Sequence, residues 1–444
     1  MNSNPSLAKC GLLVSTFLLT GVAYYLLSYH TARANFLPVI SLFAFLFALY
    51  YVANRYFSPT HLRHLLLAGV LFRILLLFSI PNLSDDVYRF IWDGRLAANG
   101  INPFSHLPAQ IMQMPPVTGI TKELFGMLNS PGYFTIYPPV LQGIFWLAAV
   151  IFPTDVYGAI VLLKSIIVLA DLGNLFLITQ LLKRLHLPRH LSALYFLNPL
   201  VITELTGNVH FEGVMIFFVL LAFLLILQNK AHASAISLGA GIATKLLPVL
   251  FVPLIIHKLG WRKGLIYTVV AGIFTLLLFA LSFDIATIQN LAKSVDLFFR
   301  KFEFNASIYY LVRWLGTVIT GFNIIAYAGP LLSFLAAMII VLLSFRHSKD
   351  VGRSIFQKAL FIITAWFLLA TTVHPWYICL PVALAVFTPY RYAYIWSFTA
   401  TLSYAAYKYD PVQENLWLVG AGYLAVIGFA IYELKFRRSQ DYVS

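Results

Sequence analysis

The apolar stretch LLLAGVLFRILLLFSI at positions 65–80 runs directly into PNLSDDVYRFIWDGR at positions 81–95. Asp85, Asp86 and Asp93 in the second stretch are three of only 16 acidic residues in the 444-residue chain. Adjacent carboxylates beside a membrane segment repel each other and are costly to desolvate, so they require a cation, a basic partner or a chemical role. This junction therefore indicates a membrane protein and makes an enzyme the leading interpretation.

The composition sets the expected fold class. Hydrophobic residues make up 60% of the chain and charged residues 10%, whereas a soluble domain has roughly 45–50% apolar and about 25% charged residues. Repeated apolar runs of about 16–27 residues, separated by short polar loops, favour membrane helices over the alternating strands of a barrel. We therefore expect an all-α polytopic membrane protein with about 14 transmembrane helices, in a range of about 12–14.

The basic charge and the cysteines narrow the function classes. We attribute the formal net charge of +14 to Lys and Arg residues that hold loops in the cytoplasm and contact membrane lipids, and we expect no nucleic acid as a partner. The two cysteines, Cys10 and Cys379, both lie in apolar runs. They indicate neither a disulfide framework nor thiol chemistry.

Basic loops set the expected orientation. Arg55, Arg63 and the segment KFRR at 435–438 are placed in the cytoplasm, which puts both termini inside and the acidic segment on the extracytoplasmic face. Lys183, Arg184 and Arg189 mark a third cytoplasmic loop. Residues 81–155 then form one large extracytoplasmic loop that contains juxtamembrane helices, one of them at 138–152. We expect this arrangement in a bacterial inner membrane.

The later part of the chain is expected to alternate between short loops and spans, which are predicted near 190–206, 213–228, 264–283, 323–345, 355–372, 376–390, 392–408 and 414–434. Residues 234–257 begin and end beside basic residues, which favours a hairpin of two short helices with TKLLP (244–248) at its turn. Residues 284–322 are predicted to form a second extracytoplasmic segment, with an amphipathic part at 290–304. The sequence shows no internal repeat and no soluble domain, so residues 1–444 are predicted to form a single integral membrane domain.

Residues 85–95 are predicted to carry the chemistry. In a helix, Asp85, Arg89 and Asp93 share one face and Asp86 lies one step around it. One carboxylate would accept the proton of an incoming hydroxyl while Arg89 stabilises a leaving phosphate. The alternative is that the cluster is a self-satisfied salt-bridge network that anchors a loop.

Other polar side chains lie at predicted membrane boundaries. Lys245 is a cation within an apolar stretch and is placed on the same side as the acids, although a snorkelling lysine or a structural ion pair explains it as well. His374 and Tyr377 would bind a sugar or a phosphate, or else belong to an interfacial aromatic belt. His210 and Glu212 are candidates of the same kind.

Metal and nucleotide signals in the sequence are weak. Asp85 and Asp86 would hold a divalent ion, but two carboxylates are an incomplete octahedral shell. The sequence contains no Gly-rich phosphate loop and no nucleotide-binding domain. We therefore expect no dedicated metal site and no cofactor, and a divalent ion at the acid pair stays open.

The motifs occur in an order that resembles a known family. They are DDVYR at 85–89, WDGR at 92–95, GINPF at 100–104, YPP at 137–139, NPL at 198–200, GNVH at 207–210, TKLLP at 244–248 and HPWY at 374–377. This series resembles the multispanning GT-C glycosyltransferases, in particular bacterial mannosyltransferase-like members and the catalytic subunit of GPI mannosyltransferase I. The first motif is the most specific, and the elements cover most of the chain.

The resemblance implies a polyprenyl-phosphate-linked sugar as donor, a lipid or glycan hydroxyl as acceptor, and inversion at the sugar carbon. Asp85 and Asp86 both match the position of the catalytic base, with Asp85 slightly preferred. Glu212 stands where many relatives have Asp. The residues expected to bind the substrate and its phosphate are Arg89, Asp93, Arg95, Lys245, His210, Glu212, His374 and Tyr377.

Three other interpretations stay open. A transporter or flippase of lipid-linked saccharides would also carry charges in a cavity, but such folds usually show internal repeats and midplane ionisable residues. A glycan polymerase or ligase would carry its main loop later in the chain. A non-enzymatic structural subunit would leave the acid cluster without a purpose. The early acid cluster and the missing repeat favour the glycosyltransferase.

Overall fold

The computed structural model describes residues 5–280, 300–346 and 351–436, together with positions 289, 290, 293, 294 and 296. Over these residues the secondary structure is helical. No β-strand occurs among them, and the pairing of Phe304 with Thr372 is an isolated bridge. The predicted all-α fold is confirmed for the described part of the chain.

Six helices in the described part are long and apolar enough to cross a membrane. They are Gly11–His30, Phe36–Leu77, Val156–Arg184, Trp261–Ala280, Ile325–Phe345 and Leu416–Phe436. A seventh span results if the helical segments Pro199–Gly207 and Glu212–Leu227 are counted as one broken helix. The membrane character is therefore supported, while the predicted count of about 14 transmembrane helices is not confirmed.

Two predicted spans show why the count differs. Residues 376–390 contain only the short helix Cys379–Ala385 after a 3-10 turn, and residues 392–408 combine the α-helix Tyr392–Thr399 with the 3-10 segment Ala400–Lys408. Most of their apolar side chains are buried inside the protein. An apolar run indicates only that a segment is shielded from water. The interior of a protein provides this shielding as well as lipid does.

Contacts divide the chain into two compact units. The first unit comprises Met1–Leu83, Ile178–His210 and Pro375–Ser444, and the second comprises Ser84–Leu177 and Phe211–His374. The prediction of a single membrane domain over residues 1–444 stays a prediction.

The first unit is built around its three N-terminal helices, α1 (Pro5–Tyr25), α2 (Phe36–Val52) and α3 (Ser58–Leu77). They pack on the π-helical segment Ile202–Gly207 and on the 3-10 segment Ala400–Lys408. The buried side chains of this core include Tyr24, Leu27, Phe43, Phe72, Leu76, Ile202 and Tyr404. The packing fixes the position of a buried polar segment at residues 202–210.

Two buried charges in the first unit are satisfied by backbone groups. Arg73, which interrupts the apolar stretch 65–80, donates from Nη1 to the carbonyl oxygens of Gly69 and Phe196, both at 2.9 Å. The carboxylate of Glu433 accepts the backbone N–H of Arg391, with 2.8 Å to Oε1 and 2.7 Å to Oε2. It also accepts that of Tyr392 at 3.0 Å, and so caps the helix Tyr392–Thr399. Such pairing is required because an unpaired buried charge is strongly unfavourable.

The second unit begins with α4 (Asp86–Ala98), followed by the short helices α5 (Pro108–Ile111) and α6 (Lys122–Gly126), and then α7 (Pro139–Ile151). None of these four helices is long enough to span a membrane. The prediction of short helices within residues 81–155, one of them near 138–152, therefore agrees with the structure. The side of the membrane on which they lie stays a prediction.

The helices α4 and α7 pack at very short range. A Cβ atom at Gly94 would lie 2.1 Å from the backbone oxygen of Phe145, so only glycine allows this approach. Phe90 of α4 stacks on the Phe145 ring, with the ring centroids 4.7 Å apart. This contact fixes α4, and with it the acid cluster at its start, against α7.

The remaining helices of the second unit follow in chain order. They are α8 (Val156–Arg184, which continues into the first unit), α11 (Glu212–Leu227), α12 (Ala231–Thr244), α13 (Val252–Leu259), α14 (Trp261–Ala280), α15 (Ile308–Thr320), α16 (Ile325–Phe345) and α17 (Val351–Leu369). The short helices α9 (Ser192–Phe196) and α10 (Pro199–Val201) belong to the first unit. The predicted break at 244–248 is observed, since α12 ends at Thr244 and a 3-10 turn, Leu247–Phe251, precedes α13. Of the predicted amphipathic part at 290–304, residues 291, 292, 295 and 297–299 lie outside the described residues.

Candidate active site

The acid pair lies at the start of α4. Asp86 is the first residue of the helix, whereas Asp85 precedes it with φ −99° and ψ 3°. Asp85 is thus the N-cap residue of α4 and not part of the helix itself. That it shares a face with Arg89 and Asp93 stays a prediction. Asp85 is partly exposed. Burial and the neighbouring Asp85 carboxylate raise the pKa of the Tyr88 hydroxyl, which places Asp85 close to that side chain.

Asp86 is bound by the loop between α6 and α7. The Nδ2 of Asn129 donates to the Oδ1 of Asp86 at 2.7 Å. The backbone N–H of Asp86 donates to the Oγ of Ser84 at 3.3 Å. A carboxylate in the first turn of a helix is also stabilised by the helix dipole. Asp86 thus connects the start of α4 with the loop at Asn129.

Arg89 and Asp93 form a buried ion pair, with 2.9 Å between Nε and Oδ1. Arg89 also donates from Nη1 to the carbonyl oxygens of Ser130 at 3.1 Å and Tyr133 at 3.0 Å. The side chains of the pair are 3% and 0% exposed. The predicted i, i+4 spacing is thus confirmed for this pair. Its contacts favour the alternative in which the pair anchors a loop.

The second carboxylate oxygen of Asp93 binds the segment before α7. It accepts hydrogen bonds from the hydroxyl of Thr135 and from the Nε2 of Gln142, the latter at 3.2 Å. Asp93 therefore joins α4, the loop at Thr135 and α7 in one buried network. These hydrogen bonds compensate the burial of its charge.

Arg95 lies on the next turn of α4 and is also buried. Its Nη1 donates to the carbonyl oxygen of Gly119 at 2.7 Å. Burial lowers the pKa of the Arg95 guanidinium, and the carboxylate of Asp155 acts in the opposite direction. Within the described part of the chain, its Nε and Nη2 are buried without a hydrogen-bond partner. Arg95 therefore holds the turn at Gly119.

Lys245 and Glu212 form an ion pair that joins two helices. Glu212 is the first residue of α11, and Lys245 follows the last residue of α12 in an extended conformation. The Nζ of Lys245 binds the Oε1 of Glu212. The Lys245 side chain is 24% exposed and that of Glu212 is 2% exposed. The Oε2 of Glu212 is buried and makes no hydrogen bond to the described residues.

His210 belongs to a buried cluster that includes a residue not singled out from the sequence. The carboxylate of Glu204 accepts hydrogen bonds from the hydroxyl of Tyr404 and from the Nδ2 of Asn208 at 3.3 Å. The Nδ1 of His210 donates to the backbone carbonyl oxygen of Glu204 at 3.0 Å and lies 3.2 Å from the carboxylate oxygen Oε2. The His210 ring stacks on Trp376, with centroids 3.8 Å apart and an interplanar angle of 15°. We call these five residues the Glu204 cluster. An acid inside the apolar run 190–206 was the sequence signal for it.

The last two candidates lie at the 3-10 turn Pro375–Ile378, which His374 directly precedes and which contains Tyr377. His374 stacks on Phe304, with ring centroids 5.0 Å apart. Tyr377 is partly buried and its ring meets Trp376 edge-on at 6.1 Å. Among the described residues, no group of three or more His, Cys, Asp or Glu side chains is arranged to hold a metal ion.

The structure thus defines a helical membrane protein in which an acid pair, a buried Arg–Asp network and a Lys–Glu pair lie in one compact unit. Residues 10–260 match the family described as alpha-(1->6)-mannopyranosyltransferase, N-terminal domain. The match covers more than half of the chain, so the protein belongs to this family. The predicted resemblance is confirmed.

One relative illustrates the family. Alpha-(1->6)-mannopyranosyltransferase A of Mycobacterium tuberculosis (strain ATCC 25618 / H37Rv) is 28% identical to this chain over 203 residues. The alignment covers 43% of this chain and 36% of the relative. The chain therefore spans about a third of the length of the curated relative that it matches.

Proposed function

We propose that the protein is a membrane glycosyltransferase, of the mannosyltransferase kind, that uses a polyprenyl-phosphate sugar as donor. The sugar passes to a hydroxyl group of a lipid or glycan acceptor on the extracytoplasmic face. Membership of the family over residues 10–260 supports this class of reaction. The observation that carries the proposal is the acid pair at the start of α4, which the buried network around Asp93 holds in place.

In the proposed reaction the acceptor hydroxyl attacks the anomeric carbon and inverts it. The bond between that carbon and the phosphate oxygen breaks, a bond to the acceptor oxygen forms, and polyprenyl phosphate leaves. A carboxylate takes the proton of the hydroxyl as general base. Both acids of the pair are partly exposed. We assign the role of base to Asp85, which directly precedes α4, and the support of the loop to Asp86, whose Oδ1 accepts a hydrogen bond from Asn129.

A cation is needed where the leaving phosphate gains charge. We assign this role to Lys245, because its side chain is partly exposed and is the cation of the Lys245–Glu212 pair. Glu212 balances the lysine charge when no donor is bound. Arg89 and Arg95 are assigned to the support of the acid pair, since both bind backbone carbonyl groups in the interior.

The roles of His210, His374 and Tyr377 are proposed as contacts to the donor. Imidazole and phenol groups are hydrogen-bonding partners for sugar hydroxyls and phosphate oxygens. No cofactor is required by the reaction as written, and a divalent ion at the acid pair remains a separate proposal.

Incubation of the purified protein with a panel of radiolabelled polyprenyl-phosphate sugars and a total lipid extract tests the function. We expect transfer of label to a lipid or glycan product, and none with the Asp85→Asn variant. Vesicle experiments test the flippase alternative. Movement of a lipid-linked saccharide across the bilayer without any transfer product would replace the proposed function.

A further inference from the structure

The helix α15 turns an apolar face away from the rest of the second unit. The exposed side chains recur every three or four residues, which places them on one side of the helix. They are Leu311, Trp314, Leu315, Val318 and Ile319, with exposed fractions from 53% to 73%. A contiguous apolar face of this kind marks a surface that a partner covers. We propose that α15 lies flat along the membrane surface, with this face among the acyl chains of one leaflet.

The opposite face of α15 is fixed to the protein, so the helix cannot turn its apolar face inward. The carboxylate of Glu303 accepts hydrogen bonds from the hydroxyl of Tyr309 at 2.6 Å and from the Nη1 of Arg313. A Cβ atom at Gly316 would lie 2.3 Å from the Cδ1 of Ile324, so the helix backbone lies directly against that side chain. Tyr309, Arg313 and Gly316 share the side of α15 that is opposite the apolar face.

The segment that carries Glu303 is itself held by backbone hydrogen bonds. The N–H of Phe304 donates to the carbonyl oxygen of Thr371 at 3.1 Å, and its carbonyl oxygen accepts the N–H of Val373 at 2.8 Å. The Nδ2 of Asn305 donates to the carbonyl oxygen of Val373 at 3.1 Å. Glu303 therefore binds the inner face of α15 from a fixed position, and the direction of the apolar face is fixed with it.

The following helix identifies lipid as the neighbour of the apolar face. Only residues 321–324 separate α15 from α16, which is long and apolar enough to cross a membrane. Four residues extend at most about 14 Å, so the end of α15 lies close to the start of this span. Exposed apolar side chains continue through Phe322 to Tyr327 and Leu331 on α16. The surface that lipid covers on α16 therefore extends onto α15.

The length and the charges of α15 determine its orientation. Its 13 residues extend about 20 Å, whereas the hydrocarbon core of a bilayer is about 30 Å thick. The paired side chains of Glu303 and Arg313 are partly exposed, and charged groups are costly within that core. A short helix with one apolar and one polar face is typical of the membrane–water interface, where Trp is also enriched. Trp314 belongs to the apolar face.

Site-directed spin labelling of the full chain in phosphatidylcholine and phosphatidylglycerol liposomes tests the proposal. Cys10→Ala and Cys379→Ala first remove the native thiols. Nitroxide labels are then attached to Leu311→Cys, Leu315→Cys and Val318→Cys, one in each variant. Oxygen concentrates among acyl chains and a nickel chelate stays in water. We expect the ratio of collisions with oxygen to collisions with nickel to be several-fold higher at these positions than in water, and to give similar depths for all three.

Thr317→Cys is the matched control, because it is exposed on the same helix and lies about 100° around it from Val318. Its label should favour the nickel chelate. A label at Leu331→Cys, on the exposed face of the span, calibrates the acyl-chain region. Three results would overturn the proposal. They are nickel access on the apolar face equal to that at Thr317, depth that increases steadily from Leu311 to Val318, and poor access to both reagents with spin–spin broadening, which would identify a second copy of the chain as the partner.

Discussion

The guanidinium of Arg89 and the carboxylate of Asp93 are joined one helical turn apart, with almost no solvent around either group. Their remaining hydrogen bonds go to the loop at Ser130 and Tyr133 and to the hydroxyl of Thr135. The pair therefore determines the shape of the loop that faces the acids at the start of α4.

Arg89→Met leaves the Asp93 carboxylate buried without its cation. We expect a loss of about 3–5 kcal/mol in the free energy of unfolding, because the remaining carboxylate stays buried and nothing compensates the cost of its desolvation. Thermal unfolding in detergent measures it. Arg300→Met is the matched control, since Arg300 and Asp296 form an i, i+4 pair at 2.8 Å that is 53% and 61% exposed. It should cost about 0–1 kcal/mol. Equal effects would contradict the argument from burial.

Gly94→Ala should destabilise α4 against α7. The added Cβ would meet the backbone oxygen of Phe145 at 2.1 Å, and backbone atoms cannot rotate away. We expect a loss of about 1–3 kcal/mol or more, with reduced yield of folded protein. Gly143→Ala in α7 is the control, because nothing lies within 4 Å of a Cβ there. A Gly94→Ala variant as stable as Gly143→Ala would show that the two helices do not pack so closely.

Asp85→Asn should abolish transfer while donor binding and thermal stability stay nearly intact. Removal of a general base typically reduces the rate on the order of 10²- to 10⁴-fold. Asp86→Asn should also reduce activity, but with a loss of stability, since Asp86 binds Asn129 and lies in the first turn of α4. Turnover and melting temperature are measured together for both variants. If only Asp86→Asn is inactive at normal stability, the two roles are exchanged; if neither matters, the transporter gains support.

Lys245→Met should reduce donor use on the order of 10²-fold, because one cation is lost at the leaving phosphate. It also leaves Glu212 buried without its partner, so the melting temperature should fall. The double variant Lys245→Met/Glu212→Gln separates the two effects. It should recover stability without recovering activity. Recovery of both would assign Lys245 a structural role alone.

The orientation of residues 81–155 is tested by cysteine labelling. Gln110→Cys, at an exposed position in α5, should react with an impermeant reagent on intact cells, because basic residues keep the flanking loops in the cytoplasm. Lys183→Cys, in a predicted cytoplasmic loop, is the control for the other side. Reaction of Gln110→Cys only after permeabilisation would invert the topology.

The helical class, the break at 244–248 and the Arg89–Asp93 pair were accessible from sequence, because each depends on local spacing or on apolar runs. The helix boundary at Asp85 was not, since a shift of one residue follows from the turn before α4. The Lys245–Glu212 pair joins residues 33 positions apart. No local pattern connects them, although each was selected separately as an ionisable residue.

Two further features, Glu204 and the segment 376–408, were not assigned correctly from the sequence. Glu204 was overlooked because it lies among apolar residues without a motif of its own, and its partner Tyr404 is 200 positions away. The segment 376–408 was assigned to spans because apolar sequence does not distinguish lipid from protein as the neighbour. Both depend on tertiary packing.

The contact of Glu433 with the backbone of Arg391 and Tyr392 links two segments that leave the ribosome at different times. The acceptor lies 42 and 41 positions after its donors. Until residue 433 has been synthesised and inserted, these buried N–H groups lack their acceptor, so the helix Tyr392–Thr399 reaches its final form late. A chain that stops before this position would retain every proposed catalytic residue. The N-terminus of its helix Tyr392–Thr399 would, however, stay uncapped and would be exposed to the quality-control machinery.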